Sequence, residues 1–319
     1  MSRSPAAGRA RAAGFALAMA GAVGFSGKAI VAKLMYRHGV DALTVLGLRM
    51  LLALPCFLLM AWWAGRGRPA LSRPDCLRIV LLGFSGYYLA SYLDFLGLQH
   101  ISASLERLIL YLNPTLVLLL GFLLLGRKVQ PRQLLAMGLS YAGVLLVFGH
   151  ELQARGLAAA EGSSIGLGAL LVFGSALSYA VYLVASGELV QRLGSLRLVG
   201  LASTVACGFA IAHFLAGKLG GGPWAGLAGL PAPVWGLAVV NSLFCTVAPV
   251  LMVMMAVERL GPATAAHTGM VGPLSTLLLG LLLLDEALNP WIGAGTLLVL
   301  GGVALLARSP RPAPTPPAD

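Results

Sequence analysis

The chain alternates long apolar runs with short polar breaks. Ten runs have about the 20 residues that a helix needs to cross the hydrocarbon of a bilayer: 14–35, 43–64, 77–98, 103–125, 131–149, 166–187, 196–217, 233–256, 262–284 and 288–307. They predict helices 1 to 10 of an all-α integral membrane fold.

The pattern also repeats. Pro114, Gly121, Pro131 and Gly143 recur 159 positions later, without a gap, as Pro273, Gly280, Pro290 and Gly302. The leucines between them coincide as well, but leucine matches are cheap in so apolar a chain, and the prolines and glycines carry the weight. A second register, at offset 154, sets 22–26 against 176–180, with Phe25 opposite Tyr179. Each repeat holds five spans, an odd number, so the two must insert upside down relative to each other. Two inverted five-helix repeats around a midplane site are the architecture of alternating access. The expected organisation is a cytoplasmic N-terminal segment (1–13), a first repeat (14–150), an external connecting loop (151–165), a second repeat (166–307) and a disordered, proline-rich cytoplasmic tail (308–319). Mid-span prolines free a carbonyl and permit bending, so Pro114 and Pro273 are candidate hinges.

Composition agrees with lipid as the solvent. Of 319 residues, 58% are hydrophobic and only 10% charged, with a mean hydropathy of +0.88; a soluble domain carries about a quarter charged residues. The net charge of +11 would suggest nucleic acid in a soluble protein. Its distribution says otherwise. Arg66, Arg68, Arg73 and Arg78 follow helix 2, Arg127, Lys128 and Arg132 follow helix 4, Arg192 and Arg197 follow helix 6, and Arg308 and Arg311 follow helix 10; the opposite loops are poor in cations. The positive-inside rule then places both termini in the cytoplasm, and no nucleic-acid partner is expected. The first apolar run is of full span length, with no small-residue cleavage pattern, which makes it helix 1 rather than a secretory signal. Arg outnumbers Lys 18 to 4 amid abundant Ala and Gly, the usage of a GC-rich bacterial genome, so the expected location is the bacterial inner membrane. Cys56, Cys76, Cys207 and Cys245 have no metal-like spacing and read as small buried hydrophobes.

Charges inside spans are candidates for function, since each costs at least about 2.5 kcal/mol at a helix centre. Lys28, Arg49, Asp94, Glu106 and Arg107 all fall at similar depth toward the outer side. Two readings are open: a structural network pinning helices 1–4, with Arg49 as a fixed structural charge, or a site in which Asp94 or Glu106 carries protons and the cations meet substrate. Helical spacing puts Glu106 and Asn113 on one face of helix 4, and Tyr87, Ser91 and Asp94 on one face of helix 3. In the second half, Ser175, Tyr179, Tyr182 and Ser186 form a polar-aromatic stripe on helix 6. Asn241 and Cys245 share a face of helix 8, and Thr264, His267 and Thr268 one of helix 9. Cavity lining and interhelical hydrogen bonding both account for such stripes. The expected substrate-binding set is Lys28, Tyr87, Glu106, Arg107, Asn113, Tyr179, Tyr182, Asn241 and His267. Glu258-Arg259 and Asp285-Glu286 sit at span ends, where solvation is the default, and are assigned no chemistry. No catalytic, metal-binding or nucleotide-binding motif occurs, so no cofactor is expected, and transport would be gradient-driven or facilitative.

The chain resembles the EamA-type transporters of the drug/metabolite transporter superfamily over about 14–307. The carriers are Leu48-Arg49, the run 96–103 with the following Pro114 span, and Asp285-Glu286 through Gly302-Val303. The family usually has Glu after helix 4, where this chain has Arg127; Glu286 keeps it in the second half. The resemblance implies ten helices from a duplicated five-helix unit, a central cavity lined by helices 1, 3, 4, 6, 8 and 9, and movement of small metabolites such as amino acids. The expectation is therefore a secondary transporter, an exporter of a small polar metabolite, with substrate and membrane lipids as partners and homodimer formation left open. A membrane-embedded enzyme acting on a lipid-linked substrate is the alternative.

Overall fold

The computed structural model describes residues 5–126, 129–155, 160–218, 227, 229–260, 264–265, 268–287 and 289–307. The described residues are helical, with no strand among them. We number the helices α1 (Pro5–Arg37), α2 (Ala42–Gly65), α3 (Arg73–Leu98), α4 (Ala103–Leu110 and Asn113–Leu125), α5 (Pro131–Arg155), α6 (Ala160–Leu193), α7 (Ser195–Lys218), α8 (Ala232–Leu260), α9 (Val271–Leu284) and α10 (Pro290–Ala307). All but α9 are long and apolar enough to span a membrane. Leucines such as Leu59, Leu124, Leu170 and Leu297 stand exposed, as they must where lipid is the solvent. The helices overrun their hydropathic limits at several ends: α1 starts at Pro5, α5 continues to Arg155 and α6 begins at Ala160. His267, the tail 308–319 and the basic residues Arg127, Lys128, Arg308 and Arg311 lie outside the described residues.

Local chemistry starts and stops these helices. The side chains of Asp41, Ser72 and Ser102 accept from Thr44 N, Asp75 N and Leu105 N and so cap α2, α3 and α4, each satisfying an orphan donor of the first turn. The repeated Pro131 and Pro290 are the first residues of α5 and α10, where a missing N–H costs nothing. Gly126 and Asp285, related by the same offset as the repeated prolines, end α4 and α9 in the left-handed conformation (φ 61° and 60°). Their N–H groups return to the carbonyls of Gly121 and Gly280, the repeated glycines.

The packing is symmetric under exchange of halves. Helix α2 packs on α7 and α5 on α10, while α1 packs on α8 and α9 just as α6 packs on α3 and α4. The repeated glycines show why sequence and packing match. A Cβ on Gly143 would lie 2.6 Å from the carbonyl oxygen of Gly295, and one on Gly302 would lie 2.6 Å from that of Ala136. These are the same approach of α5 to α10, made once from each side. Small residues let backbones close in this way where lipid offers no hydrophobic drive for association.

The repeated prolines do not kink continuous helices. α4 breaks at Tyr111 and Leu112 and resumes at Asn113, with Pro114 in its first turn; a turn at Gly269 and Met270 precedes α9, with Pro273 in its first turn. The reason is that a proline is tolerated at the start of a helical segment but clashes inside one. The carbonyls this frees find donors. Tyr111 donates its hydroxyl to Gly269 O (2.8 Å) and Asn113 Nδ2 donates to Leu110 O (2.9 Å), the carbonyls four residues before Pro273 and Pro114. Two further irregularities occupy matching places, π-helical segments at Phe84–Leu89 in α3 and Val240–Val247 in α8. The hydroxyl of Ser178 takes the Ser85 carbonyl (2.8 Å), and that of Thr246 takes the Asn241 carbonyl (2.8 Å).

Candidate functional site

A cavity of about 880 Å³ lies between the halves. Its lining runs from Ala18, Gly121, Gln133 and Ala307 to an end formed by Lys28, Arg49, Asp94 and Arg107, blind in that no residue of α1 after Lys28, α2 before Arg49, α3 after Asp94 or α4 before Arg107 lines it. Beyond the blind end the helices are tied together. Tyr36 donates its hydroxyl to Phe95 O (2.7 Å), and Arg37 Nη2 donates to Leu284 O (2.6 Å).

The start of α4 is held there by two carboxylates. The N–H groups of Ala103 and Ser104 donate to Glu286 (2.8 and 3.3 Å), as does the Ser104 hydroxyl (2.7 Å). Ser102 donates its hydroxyl, and its N–H at 3.5 Å, to Glu151. Carboxylates at a helix N-terminus meet both the orphan N–H groups and the positive end of the dipole. Sequence reasoning gave Glu286 no chemistry, because nothing local links a residue at the end of α9 to the first turn of α4. The one available signal was that the resembling family has an acidic residue at this position.

At the blind end, Lys28 is ion-paired with Asp94, and its Nζ is 3.7 Å from Glu106. Neither oxygen of Glu106 nor Oδ1 of Asp94 has a hydrogen-bond donor among the described residues. Arg49 makes no ion pair among the described residues. It donates to the hydroxyls of Thr246 (2.7 Å) and Ser91 (3.4 Å), with its guanidinium 5.3 Å from the centre of the Phe95 ring. Arg107 donates to Thr276 Oγ1 (2.9 Å) and Phe25 O (2.7 Å). The five intramembrane charges thus gather in one region, as their common depth implied, while the choice of partners is decided by which helices pack together.

Of the expected binding residues, Lys28, Tyr87, Arg107, Asn113 and Tyr179 line the cavity, as do Asp94, Arg49 and Pro114. Glu106 and Asn241 are fully buried outside the lining, and Pro273 is buried and outside it as well. Tyr182 is buried behind Tyr87, sharing a 3.1 Å hydrogen bond with it, and the rings of Tyr87, Tyr179 and Tyr182 pack as a cluster. The helix 6 stripe therefore divides: Ser175 and Tyr179 reach the cavity, while Ser186 is buried and bonds back to Leu183 O. His267 lies outside the described residues. No cluster of three metal-ligating side chains occurs among the described residues.

The chain matches known proteins along its length. A model of the EamA-like transporter family fits residues 12–149 and again 166–308. The Bacillus subtilis (strain 168) protein described as uncharacterized transporter YcbK is 32% identical over 282 residues, 88% of each chain. YetK of the same organism, also described as an uncharacterized transporter, is 24% identical over 131 residues, 41% of this chain and 40% of its own. One solved crystal structure, 16% identical, superposes over 92% of this chain and 96% of that one with a TM-score of 0.58, a likeness of fold.

Proposed function

Because the chain belongs to the EamA-like transporter family, we propose that it is a secondary transporter that exports a small metabolite across the bacterial inner membrane by alternating access. The observation that carries this reading is a cavity lined by both repeats that ends deep in the bundle at a cluster of charged and aromatic side chains. On this reading the basic loops and both termini are cytoplasmic, and the cavity, whose lining stops short of the outer helix ends, belongs to the inward-open, loading state of an exporter. No observation favours the enzymatic alternative.

The two repeats, inserted in opposite senses, would exchange this state for its mirror by rocking about the shared site. Helices α4 and α9 are interrupted beside Pro114 and Pro273, and these breaks are the hinges. The ties at Glu151, Glu286, Tyr36 and Arg37 form the closed outer gate. Lys28, Tyr87, Arg107, Asn113 and Tyr179 meet the substrate; Tyr182 and Asn241 hold that surface from behind, and Arg49 anchors α2 to α8.

Coupling to protons follows from charge counting at Lys28. One ammonium faces two carboxylates, Asp94 and Glu106, and one added proton makes the group neutral. Glu106, without a hydrogen-bond donor among the described residues, is the proton carrier. The test is counterflow in proteoliposomes, using whichever small metabolite most stabilises the purified protein. Glu106→Gln should abolish accumulation driven by a pH gradient and keep counterflow at uniform pH. Undiminished gradient-driven accumulation would remove Glu106 from coupling, and absence of counterflow for every stabilising compound would remove secondary transport itself.

A further inference from the structure

We infer that the substrate is an amphipathic organic anion, with one carboxylate-like head, an apolar body and no amine. This rests on the transport reading and on how charge is distributed at the blind end of the cavity.

Three cations and two carboxylates meet there, and both carboxylates face Lys28. Among the described residues neither Arg49 nor Arg107 has a carboxylate within 4.0 Å. Their partners, the hydroxyls of Thr246, Ser91 and Thr276 and the carbonyl of Phe25, fix the guanidinium planes without neutralising them. Other described acids are engaged elsewhere. Asp75 and Glu188 pair with Arg192, Asp285 pairs with Arg37, Asp41 caps α2, and Glu151 and Glu286 cap α4. Arg49 and Arg107 are 6% and 9% exposed, yet both line the cavity. The two carboxylates are directly paired with Lys28 and the three cations outnumber them by one; an excess buried charge is costly, and an anion arriving through the cavity balances it. The planar guanidinium fork suits a carboxylate in particular.

The same geometry disfavours an ammonium on the ligand. Its strongest partner would be a carboxylate without a cation of its own, but Glu106 is fully buried outside the lining, and Asp94, although it lines the cavity, is already paired with Lys28. From the head toward the opening the walls are apolar, with Leu110, Val117, Val250, Val253, Met254 and Val257. This is the usual build of a small-molecule pocket, a few placed polar groups in an apolar chamber.

The test uses the purified wild-type protein and matched ligands that differ only in the head. Phenylacetate, indole-3-acetate and octanoate are titrated against their amides, the amines phenethylamine, tryptamine and octylamine, and the amino acids phenylalanine and tryptophan. At least one carboxylate should bind about tenfold or more tighter than its amide and amine. Arg107→Gln should erase that preference, and Arg107→Lys should keep part of it. An amide, amine or amino acid that binds as tightly as its matched carboxylate overturns the inference, and so does a series in which nothing binds. If Arg107→Gln does not fold, the wild-type series decides alone. Counterflow of the same compounds separates this inference from the one beneath it. Counterflow of an amine or amino acid keeps transport and removes the anion, whereas tight carboxylate binding without any counterflow keeps the anion site and removes transport.

Discussion

Tyr111 donates its hydroxyl to the carbonyl of Gly269 at 2.8 Å and so joins the break in α4 to the turn before α9. Each break belongs to a different repeat, and each lies just before a repeated proline. A buried neutral hydrogen bond contributes about 1 kcal/mol net. Tyr111→Phe should lower the thermal midpoint by a few degrees, and Gly272→Ala by more, because a Cβ there falls on the Tyr111 hydroxyl and close to that of Ser26. Thermal unfolding in detergent checks the order; equal or reversed effects would mean that the breaks are not coupled through Tyr111.

The twofold glycine contacts predict paired effects. Gly143→Ala and Gly302→Ala each push a Cβ against a carbonyl oxygen of the opposing helix and should each cost about 1–3 kcal/mol, the usual range for overpacking. Gly293→Ala, in α10 with open space around it, should be neutral or stabilising by up to about 1 kcal/mol from helix propensity. The comparison is read as midpoint shifts of the three variants.

Glu286 caps the start of α4 through three donors. Hydrogen bonds to a charged group contribute about 1.5–3 kcal/mol, so Glu286→Ala should be strongly destabilising. Glu286→Gln, which keeps an acceptor, should lose less. If the cap also forms part of the outer gate, a cysteine placed at Ser104 should react faster with an impermeant thiol reagent from the outer side in Glu286→Ala than in a Glu286 background. An unchanged rate would limit Glu286 to helix capping.

Lys28 balances buried carboxylates rather than a surface charge. Lys28→Met leaves Asp94 and Glu106 without their ion-pair partner and should cost about 3–5 kcal/mol, the range for breaking a buried pair. Adding Asp94→Asn to that variant should recover part of the loss. A double-mutant cycle on thermal or denaturant unfolding measures the coupling, and an additive result would refute the pairing.

The left-handed Asp285 occupies the place that Gly126 holds in the first repeat. An L residue in this conformation is strained, although Asp bears it better than most. Its exposed pair with Arg37 is of the kind that contributes little. Asp285→Gly should therefore raise the thermal midpoint slightly; a drop would show that the Arg37 pair outweighs the strain.

By itself the sequence determined the number and type of the elements, the duplication, and the gathering of charge at one depth. These are local or periodic properties: hydropathy sets the spans, proline marks where helical segments start, and the odd number of spans in each repeat requires inversion. The glycines that carried the repeat proved to be the contact points of α5 with α10, so that signal was physical from the start. Which groups would meet was not legible in the same way. Glu106 shares a helical face with the cavity residue Asn113 yet lies outside the lining, as does Asn241, because a helix's rotation about its axis is set by the neighbours it packs on. Glu286 is adjacent to Asp285 in the chain but caps α4, more than 180 positions away. The same holds for the sharing of Lys28 by two carboxylates and for the hydroxyl partners of Arg49 and Arg107. Hydrophobic patterning carries no information about such pairings; they depend on distances between side chains on different helices, and only the assembled bundle sets those distances.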